Sequence, residues 1–154
     1  MGAGVIRRAE AADAAEVARL LHDFNTEFSD PTPGVEVLTG RLGQLLEDGQ
    51  VTVLLGGDEP DGLALFRLRP SLWDNAPEAY LEELYVTPPQ RGKGLGRALL
   101  EAAMQAVREA GAIRMDLCTG ETDTAARALY ESCGFTNREG GPGDPIMLYY
   151  ERDL

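Results

Sequence analysis

Cysteine is scarce in this chain, which contains only Cys118 and Cys133 among 154 residues. Two cysteines without metal-ligand spacing make neither a disulfide framework nor a metal signature, so we expect no metal site and a reduced, cytoplasmic setting. Long apolar runs are also missing. No stretch approaches the roughly 20 residues of a membrane span, and the first residues lack the apolar segment of a signal peptide, so we expect no membrane partner.

Basic residues are few as well. Fourteen lysines and arginines stand against 26 acidic residues, which gives a net charge of −12. Nucleic acid requires a basic face, so this balance argues against a nucleic-acid partner. The acidic excess would attract a cationic substrate such as an amine. An acidic surface that serves only solubility explains the charge equally well.

The length and the periodicity indicate one mixed α/β domain over residues 1–154. Helical spacing of apolar residues predicts a first helix over residues 13–24 and a second that follows Gly34 and ends near residue 47. It also predicts a helix that begins after residue 94 and one over residues 123–133. Alternation and turn residues predict strands near residues 5–7, 51–55, 63–69, 80–86, 113–118 and 146–151. The sequence from Asp13 to Glu16 predicts a capping box at the start of the first helix.

Residues 90–97 form the most informative segment, with three glycines and three basic residues before a long helical pattern. Glycines lack Cβ and let the backbone approach a ligand closely. A helix that begins there leaves its first N–H groups unpaired and carries a partial positive charge at that end. A strand, a glycine loop and a helix N-terminus together predict a site for an anion such as phosphate.

The spacing of this loop excludes two familiar phosphate motifs. The P-loop requires a Ser or Thr after Gly-Lys, which is missing here. The dinucleotide fingerprint Gly-x-Gly-x-x-Gly requires its third glycine one position later than Gly96. The loop instead matches Arg-x-x-Gly-x-Gly and resembles the GNAT superfamily of acetyl-CoA-dependent N-acetyltransferases. The resemblance implies that the loop holds the CoA pyrophosphate through residues Arg91, Gly92, Lys93, Gly94, Leu95, Gly96 and Arg97.

A second segment, residues 123–135, is similar to the GNAT helix Asn-x-x-Ala-x-x-x-Tyr-x-x-x-Gly-Phe at the family's spacing. Gly134 independently fits a helix end in the left-handed conformation. The resemblance implies that Tyr130 is the general acid for the leaving thiolate. The resemblance also implies that the first residue of this helix contacts CoA. The family's asparagine is Asp123 here, which lacks the amide donor and adds a negative charge, but a carboxylate can cap the helix.

The resemblance also implies the GNAT fold, a mixed sheet with flanking helices whose central strands splay apart. The pantetheine arm would insert there like a strand, with backbone contacts to Leu84 and Val86. Glu82 and Glu83, on the same strand, are the candidate bases for the attacking amine. Strand alternation sends them to opposite faces, so at most one should point at the acetyl group.

We therefore expect an enzyme that transfers acetyl from acetyl-CoA to a primary amine. The segment Tyr80-Leu81-Glu82-Glu83 is similar to one in spermidine/spermine and diamine acetyltransferases, which favours a small cationic acceptor. Three alternatives stay open, namely a protein or peptide N-acetyltransferase, a non-catalytic acyl-CoA-binding module and an enzyme for longer acyl-CoAs. A homodimer is also compatible with the sequence.

Overall fold

The computed structural model describes residues 4–154, so the first three residues of the predicted 1–154 domain lie outside the described residues. The chain forms two compact units, one up to Leu117 and one over Cys118–Leu154. Unit 1 contains β1 (Ile6–Arg8), α1 (Ala14–Glu27), α2 (Val35–Glu47), β2 (Thr52–Gly56), β3 (Gly62–Pro70), β4 (Pro77–Val86), α3 (Leu95–Glu109) and β5 (Met115–Leu117). Unit 2 contains α4 (Thr124–Ser132).

The strands of unit 1 form one mixed sheet in the order β1-β2-β3-β4-β5 among the described residues. Neighbouring strands from β1 to β4 run antiparallel, whereas β4 and β5 are parallel. The strands predicted near residues 51–55 and 63–69 form a hairpin, since β2 and β3 pair from Thr52↔Phe66 to Gly56↔Gly62. The short β5 pairs only with Ala79–Leu81 of β4. Among the described residues of unit 1, no strand pairs on that side with the remainder of β4, from Glu82 to Val86.

Helices cover both faces of the sheet. On one face, here the α1 face, fully buried Val17 and Leu20 of α1 pack with Leu63 of β3 in a core cluster that also includes Leu42 of α2. On the other, the α3 face, Leu95 and Leu99 of α3 approach the backbone of β2 and β3 closely. A Cβ at Gly56 would lie 2.8 Å from the Leu95 side chain, so any other residue there would force Leu95 to shift.

Each α-helix of the described residues is followed, two positions after its last residue, by a residue with positive φ. After α2, α3 and α4 this residue is a glycine, namely Gly49, Gly111 and Gly134, but after α1 it is Ser29 at φ 58°. At the end of α1, the N–H of Asp30 donates to the carbonyl of Asn25 at 2.8 Å and the N–H of Ser29 donates to that of Thr26. This pairing is the Schellman motif, in which glycine avoids a steric cost that serine must bear.

The capping-box prediction at Asp13 is wrong. Asp13 does precede α1, but its carboxylate makes no capping bond to that helix. It accepts instead from the Glu10 N–H at 2.8 Å and from the Arg7 guanidinium. A short 3-10 helix at Ala11–Asp13 precedes α1, and the capping box lies at its start, between Glu10 and Asp13. The hydrogen-bonded ion pair with Arg7 lowers the pKa of Asp13.

The predicted last strand, residues 146–151, is also wrong. In unit 2 the structure places only a single bridge there, Arg138↔Ile146. The composition of this run is strand-like, but a strand requires a partner that continues the ladder of N–H and C=O bonds. Among the described residues, no helix is both long enough and apolar enough to cross a membrane.

Candidate functional site

The glycine loop leads into α3 as the sequence predicts. Gly92 and Gly94 have φ angles of 76° and 86°, and apart from their chain neighbours no described residue comes within 4 Å of where their Cβ atoms would be. The Ala98 N–H donates to the Gly94 carbonyl and closes the first turn. The N–H groups of residues 95–97 precede this bond and have no acceptor within the helix. These donors and the helix dipole would favour an anion at the exposed start of α3.

The three cations of the loop differ in their surroundings. Lys93 is exposed, with its Nζ 3.2 Å from Oε1 of Gln90. Arg97 lies on the first turn of α3, and one of its Nη atoms is 3.8 Å from the Glu101 carboxylate. The Arg91 guanidinium is turned toward α1 and pairs with Glu27 through both Nη atoms at 2.8 Å. Lys93 and Arg97 are therefore better placed than Arg91 to meet an anion at the loop.

A β-bulge in β4 changes the side-chain pattern that alternation predicts. Leu65 of β3 pairs with Glu83, whereas the next residue, Phe66, pairs with Leu81, so Glu82 is the extra residue. Arg67 is two residues from Leu65 in β3, so its side chain lies on the α1 face. Glu82 accepts a hydrogen bond from Arg67 and therefore lies on the same face. Glu83 lies opposite Leu65 and also belongs to the α1 face. The prediction of opposite faces is wrong because a bulge places two consecutive side chains on one side.

The bulge also determines which backbone groups of β4 face the unpaired edge. The Thr87 N–H donates to the Asp61 carbonyl just before β3, so the backbone of Thr87, and by alternation of Tyr85, faces β3. Leu84 and Val86 then direct their N–H and C=O groups to the opposite edge, beyond the end of β5. Arg91 Nε already donates to the Val86 carbonyl at 2.9 Å. The Val86 N–H and both groups of Leu84 face the edge where an extended ligand would pair.

The two glutamates of the bulge differ chemically. Glu82 accepts a hydrogen bond from Nε of Arg67 in a partly buried ion pair. Among the described residues, Glu83 has no hydrogen-bond or ion-pair partner. Burial, followed by the negative charge of Glu82, raises the pKa of Glu83 to about 7. Glu83 is thus a carboxylate that can take up and release a proton near neutral pH.

Sequence reasoning missed the residues that hold the start of the loop. Glu27, the last residue of α1, pairs with Arg91 and also accepts from the Tyr85 hydroxyl at 3.2 Å. The Tyr85 ring stacks on Phe24 of α1 with centroids 4.7 Å apart. We call the contacts of Glu27, Arg91, Tyr85 and the Val86 carbonyl the Glu27–Arg91 clamp. No local pattern marks Glu27, because its partner lies 64 residues away in the chain.

Unit 2 shows how the tyrosine helix is built. Asp123 caps α4, because its Oδ1 accepts from the Ala126 N–H at 3.1 Å, as the sequence analysis allowed. At the other end, the N–H groups of Gly134 and Phe135 donate to the carbonyls of Glu131 and Tyr130. The Phe135 ring meets the Tyr130 ring edge-on at 5.9 Å, the apolar contact that accompanies this helix end. The motif's glycine and phenylalanine therefore fix the orientation of Tyr130 within unit 2.

The chain belongs to the acetyltransferase (GNAT) family, whose family model matches residues 15–135. A protein of Arthrobacter sp. FB24 described as an acetyltransferase has a crystal structure with a TM-score of 0.90 and 51% identity, over 97% of this chain and 96% of that one. The family and the fold class expected from the two motifs, a mixed sheet with flanking helices, are confirmed.

Curated relatives give the family a chemical context. Aminoglycoside N(6')-acetyltransferase type 1 of Stenotrophomonas maltophilia is 35% identical over 141 residues, which cover 89% of each chain. Mycothiol acetyltransferase of Beutenbergia cavernae is 35% identical over 80% of this chain, but the match spans only 42% of that protein. An aminoglycoside acetyltransferase from a soil metagenomic sample, solved with sisomicin, has a TM-score of 0.76 at 21% identity over 97% of this chain and 96% of that one, which shows a shared fold.

Proposed function

We propose that this protein is an acetyl-CoA-dependent N-acetyltransferase that acts on a primary amine of a small cationic molecule. The observation that carries the proposal is the partnerless, half-buried carboxylate of Glu83, whose pKa of about 7 suits a general base. Family membership supports acetyl transfer. The aminoglycoside enzyme, similar over 89% of both chains, supports a small acceptor with amino groups. The net charge of −12 would attract such a cation.

Glu83 has the role of base in this proposal. The amine nitrogen attacks the thioester carbonyl carbon, and its proton passes to the Glu83 carboxylate directly or through one water. The C–S bond then breaks, and the CoA sulfur leaves with a hydrogen bond or a proton from Tyr130. Phenol has a pKa near 10 and a thiol near 8.5, so Tyr130 acts mainly as a donor to the negative charge on sulfur.

The pKa values show why Glu83 is the better candidate. Proton transfer from an ammonium of pKa about 10.4 to an ordinary glutamate is uphill by about 6 pKa units. With Glu83 near 7 the gap narrows to about 3.4 units, a gain of close to 4 kcal/mol. The other carboxylate, Glu82, already accepts from Arg67 and is less available to the amine. Glu82 then serves to raise the pKa of Glu83.

Acetyl-CoA would bind along the unpaired edge of β4 and over the start of α3. The backbone groups of Leu84 and the Val86 N–H would pair with the amide groups of the pantetheine arm. The pyrophosphate would lie on the N–H groups of residues 94–97, beside Lys93 and Arg97. Gly92 and Gly94 leave the space for this approach. Asp123 would act by capping α4 rather than by contacting CoA.

The test is thiol release from acetyl-CoA by the purified protein with polyamines, aminoglycosides, amino acids and Lys-containing peptides. We expect release with at least one small polycationic amine. Release with the peptides alone would replace the proposal with a protein or peptide N-acetyltransferase. Binding of acetyl-CoA without release for any amine would favour a non-catalytic module, and release only from a longer acyl-CoA would change the donor.

A further inference from the structure

The Glu27–Arg91 clamp joins the end of α1 to the first residue of the glycine loop. Both carboxylate oxygens of Glu27 lie 2.8 Å from Nη atoms of Arg91. This two-pronged arrangement fixes the plane of the guanidinium as well as its distance. The same guanidinium donates through Nε to the Val86 carbonyl. One arginine therefore ties together α1, the end of β4 and the loop.

The clamp is anchored in the core through Tyr85. The Tyr85 side chain is buried, its ring stacks on Phe24, and its hydroxyl donates to the same carboxylate. Burial and the charge of Glu27 raise the pKa of Tyr85, so the hydroxyl stays protonated and remains a donor at neutral pH. Arg91 lies over this ring, with Cζ 5.7 Å from its centroid. Glu27 thus accepts from a side chain that is buried in the core.

The charge of Arg91 is balanced inside the protein. The motif alone makes this arginine a ligand for the CoA phosphates, but its Nη atoms face a carboxylate and its Nε faces a backbone carbonyl. A phosphate would have to compete with Glu27 for the same donors. Arginine's planar donor array suits bidentate pairing of this kind, which a lysine at position 91 would not reproduce.

We propose that Glu27 is a positioning residue for acetyl-CoA binding, and that Arg91 acts on the cofactor through the geometry of the loop rather than as a phosphate ligand. This inference rests on the proposed function. By holding Arg91, Glu27 fixes the Val86 carbonyl and hence the edge that pairs with pantetheine. It also fixes where the loop leaves β4, and therefore where α3 starts after Gly94.

The experiment measures the affinity for acetyl-CoA, by calorimetry at several salt concentrations, in Glu27→Gln, Arg91→Gln and the double variant. Glu47→Gln is the matched control, because Glu47 is also the last residue of a helix and is exposed. We expect each single variant to bind about tenfold more weakly, and the double variant to bind no more weakly than the worse single one, since both remove one unit. The dependence of affinity on salt should equal that of the wild type.

A direct phosphate contact by Arg91 gives a different result. Arg91→Gln would then reduce the salt dependence of binding, and Glu27→Gln would bind more tightly because it frees the guanidinium. Either result would overturn the inference, as would a folded Glu27→Gln protein that binds like the wild type. In turnover assays we expect a higher KM for acetyl-CoA and an unchanged kcat, a split that mere loss of stability would not produce. If the wild type and Glu47→Gln both fail to bind acetyl-CoA, the proposed function itself is refuted.

Discussion

Replacing Glu83 by glutamine should make the protein more stable at alkaline pH. The carboxylate is half-buried without a partner, and its pKa rises from 4.5 to about 7. Each pKa unit corresponds to about 1.4 kcal/mol, so the charged form of Glu83 costs about 3 kcal/mol in the folded protein. Glutamine has nearly the same shape and no charge, so it removes this cost.

The sign of the pH dependence follows from the proton count. Between pH 4.5 and about 7 the folded protein keeps the Glu83 proton that the unfolded chain has released. Stability therefore falls as the pH rises through this window, and the full cost is present above pH 7. We expect the free energy of unfolding of the variant to exceed that of the wild type by about 1 kcal/mol or less at pH 5 and by about 3 kcal/mol at pH 8.

The assay is urea unfolding at the two pH values, followed by circular dichroism. Fluorescence is less suitable, because the single tryptophan, Trp73, is 85% exposed in the folded protein. Glu47→Gln controls for the loss of one negative charge on the surface. Its free energy of unfolding should differ little from that of the wild type, and by the same amount at both pH values. An equal effect of Glu83→Gln at pH 5 and pH 8 would refute the reasoning, since it would show an ordinary pKa.

Substitutions at four further positions test other parts of the account. Ser29→Gly should raise the free energy of unfolding by about 0.5–1 kcal/mol, because glycine tolerates φ 58°; a decrease in urea melts would contradict this. Asp123→Ala should lower the free energy of unfolding by about 1 kcal/mol and Asp123→Asn by much less, since both Asp and Asn cap helices; equal losses in the two variants would speak against the cap. Tyr130→Phe should reduce kcat at least about tenfold with unchanged acetyl-CoA affinity, and full activity would remove Tyr130 from the mechanism. Gly94→Glu should abolish acetyl-CoA binding in calorimetry, through both its φ of 86° and its added charge; normal binding would refute the loop assignment.

The sequence was sufficient for features that depend on local pattern. The glycine loop, the start of α3, the β2–β3 hairpin and the left-handed end of α4 all follow from residue types at fixed spacing. Each is determined by conformational preferences within a few residues, such as the tolerance of glycine for positive φ. The cap at Asp123 belongs to the same group.

Features that depend on distant partners could not be predicted in the same way. The bulge at Glu82 arises from the register of β4 against β3, and strict alternation in the sequence gives no sign of it. The pairing of Glu27 with Arg91 requires the fold to bring the end of α1 to the loop. The wrong prediction for residues 146–151 has the same origin, because strand composition does not supply a partner strand.

The most direct test of the central claim is the pH dependence of kcat/KM for the best amine from the substrate panel, compared between the wild type and Glu83→Gln. If Glu83 is the base, the wild-type profile breaks near pH 7, where its carboxylate loses the proton, and the variant is slower and lacks this break. The titration of the amine itself, near its own pKa, should remain in both. Identical profiles and rates in the two proteins would contradict the account and would leave Glu83 without a catalytic role.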